Sequence, residues 1–263
     1  MSVFRNVVFT AALAGLVAGA VLAALQAFVT DPLIYKAEVY EQAGEAVGHD
    51  HAAAATESAA PAATEKMSTT AMAPQAEPTA HEHDEGAWGP ADGFERYAFG
   101  VLANLVTGIG FALILVVASE FAGGIAGWRQ GLLWGLAGFA VFTLAPGLGL
   151  PPELPAMPAA DLAERQIWWW ATVAATAAGL ALIAFRRALP FAILGVALIV
   201  APHIVGAPQP VSYETTIPEG LHHDFVVAVT VTNLVFWVVL GAAVGALRSR
   251  FMGESEDLRS SFA

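Results

Sequence analysis

Long apolar stretches free of charge alternate along this chain with polar connections, and their lengths predict its architecture. Phe225–Leu247 runs 23 residues without a charged side chain, enough to cross the roughly 30 Å hydrocarbon layer of a bilayer as a helix. Before it come Val7–Phe28, Tyr97–Ser119, Gly131–Leu150, Ile167–Phe185 and Ala188–Val205. The third run carries Pro146 near its end, and the fifth is bracketed by Pro190 and Pro202 with His203 in its last turn. Membrane helices tolerate proline better than soluble ones, so neither run is excluded. The expectation is an all-α, polytopic membrane helical bundle of six transmembrane helices, or five if the weak fifth run does not cross.

The two ends of these runs differ in chemistry. His222, His223 and Asp224 stand immediately before the last run, while Arg248 and Arg250 follow it. With six spans and a cytoplasmic N-terminus, the inner side receives 7 basic and 4 acidic residues, and the outer side 4 basic and 19 acidic residues with all seven histidines. That is the lysine and arginine bias expected of the cytoplasmic face. Dropping the fifth span would break it. The first run is too long for the apolar core of a signal peptide and lacks a clean cleavage site, so it reads as a retained helix.

The chain then divides into a first transmembrane helix (1–30), an external His- and acid-rich loop (31–96), a five-helix membrane bundle (97–247) and a cytoplasmic tail (248–263). Pro32 is placed to start a short amphipathic helix on the outer surface. Residues 44–87 are low-complexity, rich in Ala, Glu, Thr and Pro, a composition that predicts disorder because it buries too little apolar surface.

Composition narrows the function. The chain is 57% hydrophobic and only 13% charged, with mean hydropathy +0.61, whereas soluble chains carry about 25% charged residues. No cysteine is present, which removes disulfides and thiolate metal sites. A net charge of −12 argues against nucleic acid as a partner, since binding it requires a basic surface. No phosphate-binding loop and no hydrolytic constellation occurs, so the chain reads as a non-enzyme.

The candidate chemistry is metal chemistry. His49-Asp50-His51 and His81-Glu82-His83 in the loop combine imidazole with carboxylate, a pairing that suits Ni, Co, Zn and Cu. The bland alternative is a solvated linker. His203 ends the fifth run while His222, His223 and Asp224 begin the sixth, so these four residues form a candidate entrance for a divalent cation. Interfacial anchoring, with Asp224 capping the last helix, competes on equal terms. No Asp, Glu, Lys or Arg falls inside a run, which argues against a self-contained proton-driven pump. Gln26, Asn104 and Asn233 are the amides at depth, accompanied by Thr107, Thr172, Thr176, Thr230 and Thr232. They line a pathway or, more commonly, glue helices together. Gly15-x-x-x-Gly19, Gly131-x-x-x-Gly135 and Gly241-x-x-x-Gly245 predict close helix crossings, within the bundle or to a partner helix. Trp168-Trp169-Trp170 reads as an interfacial belt.

Phe4-Arg5, Ala14 to Gly19, Leu25-Gln26, Asp31-Pro32-Leu33, Ala145 to Pro155, Arg165 to Trp169, Pro202-His203 and Gly206-Ala207-Pro208, in that order, resemble the CbtA family of proposed cobalt transporter subunits. The resemblance covers nearly the whole chain outside the low-complexity loop. It implies a multi-pass protein of the bacterial inner membrane acting in cobalt uptake for cobalamin synthesis. It also implies five spans rather than six, and a small single-span, histidine-rich companion, CbtB. The H-x-x-x-x-D-H signature of nickel/cobalt permeases is absent.

The resulting expectation is a subunit that admits a divalent metal, cobalt before nickel or zinc, with no tightly bound cofactor. His49, His51, His81 and His83 would form its capture arm, and His203, His222, His223 and Asp224 its mouth. A non-transporting metal-binding scaffold or sensor, or a transporter of another solute, remains the rival.

Overall fold

The computed structural model describes residues 2–43 and 89–251. Among these the regular structure is helical throughout, as the apolar runs predict. The first rod comprises α1 (Ser2–Leu25), a five-residue π-helical turn at Gln26–Thr30, and α2 over residues 31–43. Next come α3 (Phe94–Phe121) and α4 (Trp128–Phe139), the latter running through a second π turn (Ala140–Leu144) into α5 (Ala145–Gly149). The chain finishes with α6 (Leu162–Phe185), α7 (Leu189–Val205) and α8 (Glu219–Phe251). Five of these rods are long and apolar enough to cross a membrane: Phe4–Ala43, Phe94–Phe121, Trp128–Gly149, Leu162–Phe185 and Glu219–Phe251. The chain is an all-α, multi-pass membrane bundle.

The fifth expected span is α7, at 17 residues about 25 Å long, short of a full hydrocarbon layer. It nonetheless retraces α6. Gly179 and Gly195 bring the two backbones together, and Trp168 at the start of α6 donates its indole N–H to the Pro202 carbonyl near the end of α7 (3.2 Å). Pro190 sits in the first turn of α7, where its missing N–H costs no helical bond. Gly206, at φ +88°, ends that helix in a conformation most side chains avoid. Asp161 starts α6 by accepting the Glu164 N–H (3.0 Å), an N-cap with a carboxylate three residues on.

Prolines explain the π turns. The ring of a helical proline collides with the carbonyl four residues back, and for Pro32 and Pro146 those carbonyls belong to Phe28 and Phe142, each inside a π turn. Widening the helix there absorbs the clash without breaking the rod. The short helix expected to begin at Pro32 is therefore not separate; it continues the first span to residue 43.

A four-helix core of α1, α3, α4 and α8 is built on small residues. Gly15 and Gly19 receive the α3 backbone at Gly108–Ile109 and Asn104–Leu105, and Gly131 and Gly135 meet Gly241 and Gly245 across α4 and α8. The three glycine pairs expected from spacing are all used inside the chain. Phe236, Leu240, Val244, Val116, Ala11, Ala14 and Ala18 fill the space between them. The α6–α7 hairpin stands beside this core. Consecutive rods alternate in direction, giving a histidine end (residues 26–43, 91–97, 150–166 and 203–224) and an arginine end.

Candidate functional site at the histidine end

The histidine end is knitted from loops that lie far apart in the chain. Ala37, Leu154, Ile217 and Phe225 are buried together, joining α2, the 150–157 loop, the 207–217 loop and the start of α8. Arg165 pairs with Glu153 (3.0 Å), and Gly149 lies against the Trp168 ring and Ala207. His222 shares a hydrogen bond with the Pro152 carbonyl through Nε2 (3.2 Å). His203 is half-buried, edge-on to Trp168 at 5.8 Å between ring centroids.

The four residues of the expected mouth thus occupy one end but face different partners. His222, His223 and Asp224 lie within α8, not at its cap, because the helix begins at Glu219. Successive helical positions fan about 100° apart, so three neighbours cannot converge on one ion. His223 and Asp224 are exposed. Among the described residues no group of three His, Asp or Glu side chains is arranged to hold a metal. The reading of Asp224 as a cap is corrected. His49, His51, His81 and His83 lie outside the described residues.

Two of the three amides expected at depth do meet. Asn104 of α3 donates its Nδ2–H to Gln26 Oε1 (2.6 Å) at the first residue of the π turn. They line a cavity of about 180 Å³ with Asp31, Tyr35, Arg96, Tyr97 and Gly100. Asp31, Tyr35 and Glu38 recur at helical spacing and so share one face of α2. Arg96 is bound to Glu38 (2.5 Å) and Asp92 (3.4 Å) and lies over the Tyr35 ring, so its charge is matched. The Asp31 carboxylate has no hydrogen-bond or ion-pair partner among the described residues. The cavity therefore offers one free carboxylate and amide dipoles, a donor set of hard oxygens suited to a hydrated cation.

Asn233 does not join this cavity. Its Nδ2 is bonded to the Val229 carbonyl of its own helix (2.9 Å). Thr172 and Thr230 likewise bond the carbonyl four residues back (2.9 and 2.7 Å), as Thr232 does with Ala228. These groups satisfy bonding capacity locally and make no side-chain hydrogen bond to another helix among the described residues. The tryptophan belt is also corrected in part: Trp168 is 7% exposed and packs, and only Trp170, at 62%, looks outward as a belt residue would.

Sequence reasoning missed the arginine end. Glu120 and Arg248 fall just outside the uncharged runs, yet they are 1% and 5% exposed. Arg248 donates Nε and Nη2 to the two Glu120 oxygens (2.5 and 3.0 Å) and Nη1 to the Ile125 carbonyl (2.9 Å). Gly124, at φ +79°, lies against this guanidinium, where a Cβ would overlap it. The signal was present: Glu120 is followed by Phe-Ala-Gly-Gly-Ile, an apolar setting that an unpaired carboxylate does not tolerate.

With the geometry in view, similarity decides the family. A family model described as "Probable cobalt transporter subunit (CbtA)" matches residues 4–249. The chain belongs to the CbtA family. No curated protein and no solved structure gives a match. Four of the segments that carry the resemblance, Ala145–Pro155, Arg165–Trp169, Pro202-His203 and Gly206–Pro208, meet at the histidine end through Pro152, Glu153, Trp168 and Ala207. The family's description points to a transporter subunit with a metal ion as the cargo.

Proposed function

We propose that this CbtA chain is the membrane subunit of a divalent-metal uptake system, cobalt first, that supplies cobalamin synthesis from the bacterial inner membrane with its N-terminus in the cytoplasm. The histidine end then faces outward. His49, His51, His81 and His83 gather the ion on the external loop, and His203, His222, His223 and Asp224 take it at the mouth as successive one- or two-point contacts rather than as a cage. The observation that carries this reading is the polar cavity at that same end, where Gln26, Asn104 and Asp31 offer oxygens to a hydrated ion. A small single-span, histidine-rich partner of the CbtB kind completes the ligand set.

Cellular cobalt accumulation tests it. Replacing His203, His222 and His223 by alanine abolishes uptake, whereas deleting residues 44–87 only weakens its apparent affinity. The rival reading is a metal-binding scaffold that moves nothing. It requires metal binding in vitro with cellular uptake unchanged in every variant.

A further inference from the structure

A larger cavity, about 520 Å³, lies between α6 and the core, and its lining residues Ile114, Leu133, Ala177, Ala181 and Ala184 are exposed on the side of the bundle. Three alanines, Ala177, Ala181 and Ala184, line its α6 wall together with Val173, Leu180 and Phe185, and its opposite wall includes Ile114, Leu133 and Trp237. At the glycine crossings small residues bring helices into contact; here α6 stands off and its alanines face a gap. The cleft follows α6 from Val173 to Phe185, about 18 Å of helix, close to the roughly 15 Å depth of one leaflet.

Charge is concentrated at one mouth of this cleft. Arg129 precedes the lining residue Gln130, and Arg186 and Arg187 follow the lining residue Phe185. All three are exposed. Arg96, Arg165 and Arg248 have carboxylate partners, whereas among the described residues Arg5, Arg129, Arg186, Arg187 and Arg250 have none, and three of these five flank the cleft. Arg129 lies over Trp128 and Arg186 over Phe191, contacts that occupy the flat face of a guanidinium and leave its N–H edge for an oxyanion.

We propose that the cleft holds one acyl chain of an anionic phospholipid from the leaflet at the arginine end, with Arg129, Arg186 and Arg187 around its phosphate. Basic pockets between membrane helices take such headgroups. A partner helix is the other conceivable occupant, but it does not fit. Trp134 and Phe185 meet across one end at 6.5 Å between ring centroids, and Phe142 and Trp169 across the other at 6.3 Å, while a helix needs about 10 Å.

The test is native mass spectrometry of the full-length chain in detergent, titrated with phosphatidylglycerol or phosphatidylcholine. A one-to-one phosphatidylglycerol adduct is expected, with phosphatidylcholine held far more weakly. Joint Arg129→Ala, Arg186→Ala and Arg187→Ala replacement should weaken the adduct roughly a hundredfold, at about one factor of five per arginine. Ala181→Trp, which fills the cleft and leaves the arginines, should abolish it, with Ala177→Leu as the milder filler if the tryptophan variant does not fold. Equal binding of both lipids, or an adduct undiminished in either kind of variant, overturns the proposal. So does cross-linking of Ala181→Cys, the sole thiol of the chain, to another protein in the native membrane.

Discussion

Two polar places interrupt this apolar bundle, and they are built on opposite principles. At the arginine end Glu120 and Arg248 are almost fully buried, and the carboxylate and guanidinium spend themselves on each other and on the Ile125 carbonyl. At the histidine end Gln26 and Asn104 share one hydrogen bond beside a cavity, and Asp31 is left with bonding capacity to spare. A saturated polar group deep in a membrane protein holds helices in place. An unsaturated one next to open space is equipped to hold something that comes and goes. Burial alone would have ranked the arginine end as the functional site; residual valence reverses that order.

The sharpest way to break the comparison is Arg248→Ala. It strands the Glu120 carboxylate inside the bundle, and removing one partner of a buried pair costs on the order of 3–5 kcal/mol. Thermal unfolding of the detergent-solubilised protein should show a large loss of stability. The double variant Glu120→Gln with Arg248→Met should recover most of it, because it removes the uncompensated charge. If the double variant folds normally but cobalt accumulation is lost, the pair belongs to the transport route and the distinction fails.

A smaller effect is expected where packing alone is at stake. In Gly241→Val the new side chain runs into the Gly131 carbonyl and the Gly135 backbone. Forcing atoms into a close-packed contact costs about 1–3 kcal/mol, read in the same unfolding measurement. Gly100→Ala, whose methyl meets nothing within reach inside α3, is the control and should lose no stability, gaining about 0.5–1 kcal/mol of helix propensity instead.

These contrasts also mark what was legible in the linear sequence. Charge-free length located the membrane-crossing rods, and Gly15, Gly19, Gly131, Gly135, Gly241 and Gly245 indicated their crossings, because both signals are local. Gly179 and Gly195 meet without such a repeat, and nothing in their surroundings announces it. The Glu120–Arg248 pair joins residues 128 positions apart, and each alone looks like an ordinary charge at the edge of a span. For the mouth, closeness in sequence predicted a shared end but not direction. His222 is drawn to Pro152 and His203 to Trp168 by contacts that depend on how four loops fold over one another. The π turns were visible only as the prolines that follow them.

The smallest effect on stability should accompany a large effect on transport, and Asp31→Asn isolates it. The substitution keeps the shape of the side chain and removes no ion pair or hydrogen bond made among the described residues, so unfolding should shift by no more than about 1 kcal/mol. What it removes is the free negative charge in the cavity of about 180 Å³ beside Gln26 and Asn104. If that charge draws in a divalent ion, cobalt accumulation should fall several-fold at low external cobalt and recover partly at high cobalt, because affinity rather than turnover is reduced. Asn104→Ala gives the companion measurement: it breaks the bond to Gln26 at an average cost of about 0.6 kcal/mol for a polar contact between membrane helices. Uptake unchanged in both variants would make this cavity as structural as the arginine end.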